Sequence, residues 1–359
     1  SAFPALGAAP PYAETWISAS GIVWPVDAAR PDADIPPAGR SLFDRLVLRR
    51  ETAKSDADIP FPFSALLDRI VATTGQSPAP ELPYRAVAIP IGRSLQRHAA
   101  APHYFASPRV VVAFVADPMR RHDSRDFAGL PLKDRLYLGY QAQANVIEVI
   151  SYNDEAGRFE FQVVRDYRPG GEPKLTYANR AVCIACHQNA APIFSRPLWG
   201  ETQANAEVAT RLAAQQVQSG GVAIGGGVDV AYSINAATDR ANLFSVHQFL
   251  WRQGCASSER GRAERCRAAL LVAALQWRLS GSQAFDESAP GYRDDALATL
   301  AGNARSLWPG GLAIPNPDLP NRDPVVHGLP QIDVTAAFDP FDPRAAREVW
   351  PTGDGTLLA

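Results

Sequence analysis

"NVIEVISYNDEAGRFEFQVVRDY", residues 145–167, decides the fold. Two runs rich in β-branched and aromatic residues, "VIEVISY" and "RFEFQVV", alternate in character and flank "NDEAG". Such runs are strands, because branched and aromatic side chains pack well on a pleated surface. Asn, Asp and Gly between them supply the tight reversal of a β-hairpin. The same strand character extends upstream through "YRAVAIPI" (84–91), "RVVVAFVAD" (109–117) and "RLYLGY" (135–140). An antiparallel sheet over the N-terminal half follows.

On either side the period changes to that of a helix. "SLFDRLVLRRETAK" (41–54) and "SALLDRIVATTG" (64–75) space their apolar residues by three and four. "TQANAEVATRLAAQQ" (202–216), "ATDRANLFSVHQFLWR" (237–252), "CRAALLVAALQWRL" (266–279) and "DDALATLAGNARSLW" (294–308) also read as helices. The length of the 266–279 stretch suits a buried helix. The glycine-rich "GGVAIGGGVDV" (220–230) lacks the strand–turn–helix frame of a dinucleotide loop and reads as a connection. The fold class is α+β, with a sheet-containing N-terminal half and a helical C-terminal half. Residues 1–40 form an extended Pro-rich arm and 41–180 a mixed, mainly β region. Residues 181–359 hold a cysteine motif, the helical region and a Pro-rich C-terminal coil.

Composition narrows the function. With 359 residues, 46% apolar and 20% charged, the chain can build a sizeable core. A net charge of −2 predicts no binding to nucleic acid or to an anionic membrane surface. There is no run of 18 apolar residues, so no transmembrane segment is expected. The opening "SAFPALGAAPPYAETW" reads as a mature N-terminus after removal of a signal peptide. Ser1 in place of Cys argues against lipidation there.

"AVCIACHQNAAPIF" (181–194) carries the chemistry. Cys183, Cys186 and His187 have the C-x-x-C-H spacing of a c-type haem attachment site. Two thiols three positions apart can each bond one haem vinyl group, which holds the next residue, His187, where its imidazole ligates iron. Two other readings stay open. A structural zinc site needs four ligands, and Cys255 and Cys266, eleven positions apart, make no second paired cluster. A thioredoxin-like dithiol opens a long helix, which Pro192 would stop within two turns.

On "CIACH" (183–187) the chain resembles the c-type cytochromes. The resemblance covers about ten residues and identifies no subfamily. It implies one covalent haem c on Cys183 and Cys186, with His187 as axial ligand, near the junction of sheet and helices. It also implies export, since haem attachment in bacteria occurs outside the cytoplasm. The motif sits mid-chain where small cytochromes have it near the N-terminus. The chain is several times longer than one haem needs, and no Met follows the motif.

For the sixth iron ligand, His247 is the first candidate. With Leu243, Val246, Leu250 and Trp251 it follows the i, i+3, i+4, i+7 pattern of a buried helix face. A core histidine satisfied by a hydrogen bond is the plainer reading of the same pattern. His327, in a Pro-flanked loop, is second. Met119 reads as a loop residue, and His98, His103 and His122 are expected to face solvent. Arg180, Arg196 and Trp199 can bond the haem propionates, Arg offering a fork matched to a carboxylate; they read equally well as surface arginines and a core tryptophan. Cys255 and Cys266 close a short loop between two helices and suit a disulfide.

The function read from these residues is that of an exported monohaem c-type cytochrome, periplasmic or secreted. It would act in electron transfer with a redox partner protein. The alternative is a haem enzyme, a peroxidase or oxygenase, with an open distal site for a small-molecule substrate. A gas-ligand sensor is the third reading.

Overall fold

The structure, a computed structural model, describes residues 35–37, 39–48, 57–73, 82–92, 99–116, 131–178, 183, 187, 192–194, 200–226, 228–280, 286, 288–314 and 348–350. The expected arm, apart from its last residues, and most of the C-terminal coil lie outside them. The described residues form two compact units, one holding those up to Ala241 and the other those from Asn242 onward.

The first unit is built on a six-stranded antiparallel meander. Its strands, in both chain and spatial order, are β1 (Tyr84–Ile89), β2 (Arg109–Phe114), β3 (Leu136–Gln141), β4 (Val146–Asn153), β5 (Arg158–Arg165) and β6 (Lys174–Tyr177). The hairpin expected at 145–167 is β4–β5, with Asn153 opposite Arg158 and Ile147 opposite Val164. Its connection closes with the Gly157 amide donating to the Asn153 carbonyl at 2.8 Å. Gly157 takes φ +68°, a conformation in which a Cβ would be strained.

Both faces of this sheet are buried, which is why the strands read as near-continuous apolar runs. On one face Val110, Val112, Phe114, Leu136, Leu138, Ile147, Val149 and Val164 meet two helices, α1 (Leu42–Val47) and α2 (Phe63–Thr73). Those helices contribute Phe43, Leu46, Phe63, Leu66, Leu67 and Ile70. The register places Tyr137, Ile150, Tyr152, Phe159 and Phe161 on the opposite face.

A buried polar knot ties α1 to the sheet. Ser41 caps α1 by accepting from the Asp44 amide, and its hydroxyl donates to Gln162 Oε1 at 2.7 Å. Asp44, itself buried, accepts from Gln162 Nε2 (2.6 Å), the Tyr177 hydroxyl (2.7 Å) and the Gly39 amide (2.9 Å). Burial, then the hydrogen bond to Asp44 and its charge, push the Tyr177 hydroxyl's pKa far above that of an ordinary tyrosine. Tyr177 therefore stays a neutral donor.

Helix α3 (Ala206–Ala213) is capped by Asn205, whose side chain accepts from the Glu207 and Val208 amides. Helix α4 spans Val228–Phe249 and continues as a π-helical turn to Gly254. It begins nine residues before the expected 237, absorbing the end of the glycine-rich stretch. α5 spans Arg260–Ser280, and a π-helical turn at Gly291–Leu297 leads into α6 (Ala298–Leu307). The expectation of a buried 266–279 helix is corrected. Only the small-residue edge of α5, with Ala263, Cys266 and Ala273, is buried, while Leu271, Val272, Leu275, Trp277 and Leu279 are exposed. β7 (Leu312–Ile314) pairs with β8 (Glu348–Trp350). Trp308 centres a small core with Val246, Phe249, Leu250, Ala304, Leu312 and Ile314.

Cys255 and Cys266 form the expected disulfide, their Cα atoms 5.6 Å apart, packed against Leu300. Among the described residues no helix is long and apolar enough to cross a membrane.

Two outcomes follow from these contacts. Asp44→Ala leaves three donors without their acceptor and should lower the unfolding free energy by about 3 kcal/mol in urea titration; an unchanged midpoint would remove the knot from the account. The native protein should show no alkylation at Cys255 or Cys266 before reduction, and reduction should cost about 2–3 kcal/mol of stability.

Candidate functional site

The chain leaves the sheet by its edge strand, and that exit places the cysteine motif. β6 runs alongside β5, and the pairing continues one residue further, the Ala178 amide donating to the Phe161 carbonyl at 2.8 Å. Five residues later Cys183 is helical, and the His187 amide donates to the Cys183 carbonyl at 2.9 Å. That bond has the spacing of an α-helical hydrogen bond and brings positions 183 and 187 together.

The turn lies against the sheet's second face. The His187 imidazole sits with its centroid 5.1 Å from the Phe161 ring, tilted by 50°. Both Cys183 and His187 are half-buried. Beyond the motif, Phe194 is buried and stacks on Tyr137, centroids 5.0 Å apart and 24° between planes. Phe161 and Tyr137 both lie opposite Ile150, on the strands either side of it, so they share one row about 10 Å apart. The motif segment is thus held at two points on the same aromatic row.

Tyr137 is itself anchored. Its hydroxyl donates to the Ala237 carbonyl of α4 at 2.8 Å, and its ring meets Phe159 edge-on. Burial, reinforced by the charge of Asp134, holds its pKa well above that of an ordinary tyrosine. Arg240 of α4 grips Asp134 with two bonds of 2.7 and 2.8 Å. α4 therefore covers this face next to the motif.

These features can be compared with what each ligand demands. A haem brings four nitrogen donors in its porphyrin and asks the protein for thiols, an imidazole and an apolar wall. Cys183 and His187 on one turn, with Phe161 beneath, fit that demand. Among the described residues no group of three or more His, Cys, Asp or Glu side chains is arranged to hold a bare metal ion. Pro192–Phe194 carry no helix.

Cys186, Arg180, Arg196 and Trp199 lie outside the described residues, as do His98, His122, His327 and Met119. His103 is exposed. His247 is corrected in its placement. α4 buries Ala231, Ile234, Thr238, Ala241 and Val246, in steps of three to five, and then Phe249 and Leu250. Val246 occupies the stripe, and His247, about 100° further round, is exposed together with Leu243. The protein around its ring still pushes the His247 pKa below the ordinary histidine value, through partial desolvation.

Phe161, Tyr137 and Phe194 went unrecognised in the sequence as neighbours of the motif. The available signal was the alternation of β5, which puts Phe159, Phe161 and Val163 on one face. Which face the motif would meet depends on β6, a four-residue edge strand too short to announce itself. Compared with known protein families, with curated proteins and with solved structures, the chain matches none.

Proposed function

We propose that this chain is an exported monohaem c-type cytochrome. Cys183 and Cys186 would hold one haem by two thioether bonds, and His187 would ligate its iron. The observation that carries the reading is the hydrogen bond from the His187 amide to the Cys183 carbonyl, with the His187 ring packed on Phe161. The haem, when bound, supplies an iron centre that takes up and returns one electron. The chain's own residues orient and shield it. Phe161 fixes the tilt of the His187 ring, and the Phe194–Tyr137 stack holds the far end of the segment against the same face. One-electron exchange with a redox partner protein is the function this site supports best.

Export is supported by the Cys255–Cys266 disulfide, since such bonds persist in oxidising compartments. A periplasmic or secreted location follows as part of the proposal.

The test is chemical and spectroscopic. Protein produced in a periplasm competent for haem attachment should keep its haem through acid–acetone extraction. A Cys183→Ser/Cys186→Ser double variant should lose all of it. The ferric protein should give a six-coordinate low-spin spectrum. A high-spin ferric spectrum would instead assign the site to a haem enzyme with an open iron position. Haem that extracts fully from the wild type would contradict the proposal.

A further inference from the structure

On the face that carries Phe161, one charged pair spans three strands. Arg109 opens β2, and its guanidinium reaches sideways across β3 at Gly139 to Glu148 of β4, Nη2 to Oε2 2.6 Å. The crossing requires a glycine. A Cβ built on Gly139 would come 2.5 Å from Arg109 Nη2, 2.8 Å from Cζ and 2.9 Å from Nε. A side chain there would force the guanidinium to shift.

The pair is close to the motif. Gly139 and Glu148 are register partners, and Glu148 faces Val163 of β5. Phe161 is the next residue on that face of β5, so Glu148 and Phe161 are diagonal neighbours about 7–8 Å apart at Cα. His187 rests on Phe161. The Arg109 side chain is only 17% exposed, and its Nε is buried with no hydrogen-bond acceptor among the described residues. Nη2 is spent on Glu148, and a guanidinium has further N–H donors to offer a second acceptor. A carboxylate is the acceptor whose shape matches the fork.

We propose that Arg109, seated over Gly139, binds a propionate carboxylate of the haem. The proposal rests on the haem reading above and extends it. Arg109 then bridges two carboxylates, that of Glu148 and that of the porphyrin, and neutralises part of their charge beside the iron. It is a positioning residue, since it touches the cofactor's rim and not the iron. Its sequence neighbours give no hint of the role, because the site exists only once three strands are aligned.

The charge of the pair sets the direction of its effect. One electron converts ferric to ferrous iron, lowering the charge of the centre by one. Removing a nearby cation favours the ferric state, and removing a nearby anion favours the ferrous state. At a fixed applied potential, Arg109→Gln should raise the ferric-to-ferrous ratio on the order of tenfold, and Glu148→Gln should lower it. The opposite directions report the charges of the pair at the iron, and the contact with the propionate is read separately. Resonance Raman reads the contact itself, because the propionate bending band should shift in Arg109→Gln. Should that variant fail to fold, Arg109→Lys keeps the charge but loses the fork. It should hold the ratio near wild type while the propionate band still shifts. An unmoved ratio, or an unmoved propionate band in the folded variant, would overturn the assignment of Arg109 and leave the haem reading intact. A wild-type protein without covalent haem would overturn both.

Discussion

The structure depends on the pairing of β4 with β5. Seven register pairs, from Ile147–Val164 to Asn153–Arg158, fix which side chains share a face. A one-residue slip would exchange the two faces entirely. In the observed register Val149 and Val164 join the α1–α2 core, while Ile150 and Phe161 turn the other way. An apolar sheet with two such faces must be covered twice. The helices before β1 cover one face, with the Asp44 knot holding α1 in place. The chain after β6 contributes to covering the other, and that chain contains the cysteine motif.

This constraint links fold to chemistry. A C-x-x-C-H sequence on a solvated loop would offer thiols and an imidazole with nothing to pack a large apolar cofactor against. Here the turn carrying Cys183 and His187 rests on Phe161, and Phe194 is clamped to Tyr137 in the same aromatic row. The row also sits beside the only glycine of β3, where Arg109 crosses to Glu148. The motif with its thiol and imidazole, the aromatic wall and the guanidinium come from separate segments of the chain, and the strand register brings them to one face.

Much of the fold could be read from local pattern. The hairpin, the three strands before it and the C-terminal helices carry strong periodicity, and the Cys255–Cys266 disulfide followed from the pairing of leftover cysteines. Other features were hidden for identifiable reasons. β6, β7 and β8 are three or four residues long, too short for a period to emerge. α4 starts within a glycine-rich stretch whose composition argued for a connection. α5 has many apolar residues, yet it buries through its small ones, so composition pointed to the wrong face. His247 illustrates how narrow such readings are. Val246 and His247 both sit at helical spacing from Leu250, and only packing decides that Val246 faces inward. Within the site, the C-x-x-C-H spacing was visible at once. Its aromatic seat and the Arg109–Glu148 pair were not, because both require knowing which strands lie side by side.

The central claim is that Cys183 and Cys186 carry one haem in covalent bonds. The intact mass of the denatured protein, produced in a haem-attaching periplasm, tests it most directly. The account predicts a single species heavier than the polypeptide by the mass of one haem. A mass equal to that of the bare polypeptide, less only the hydrogens lost to disulfides, would contradict it.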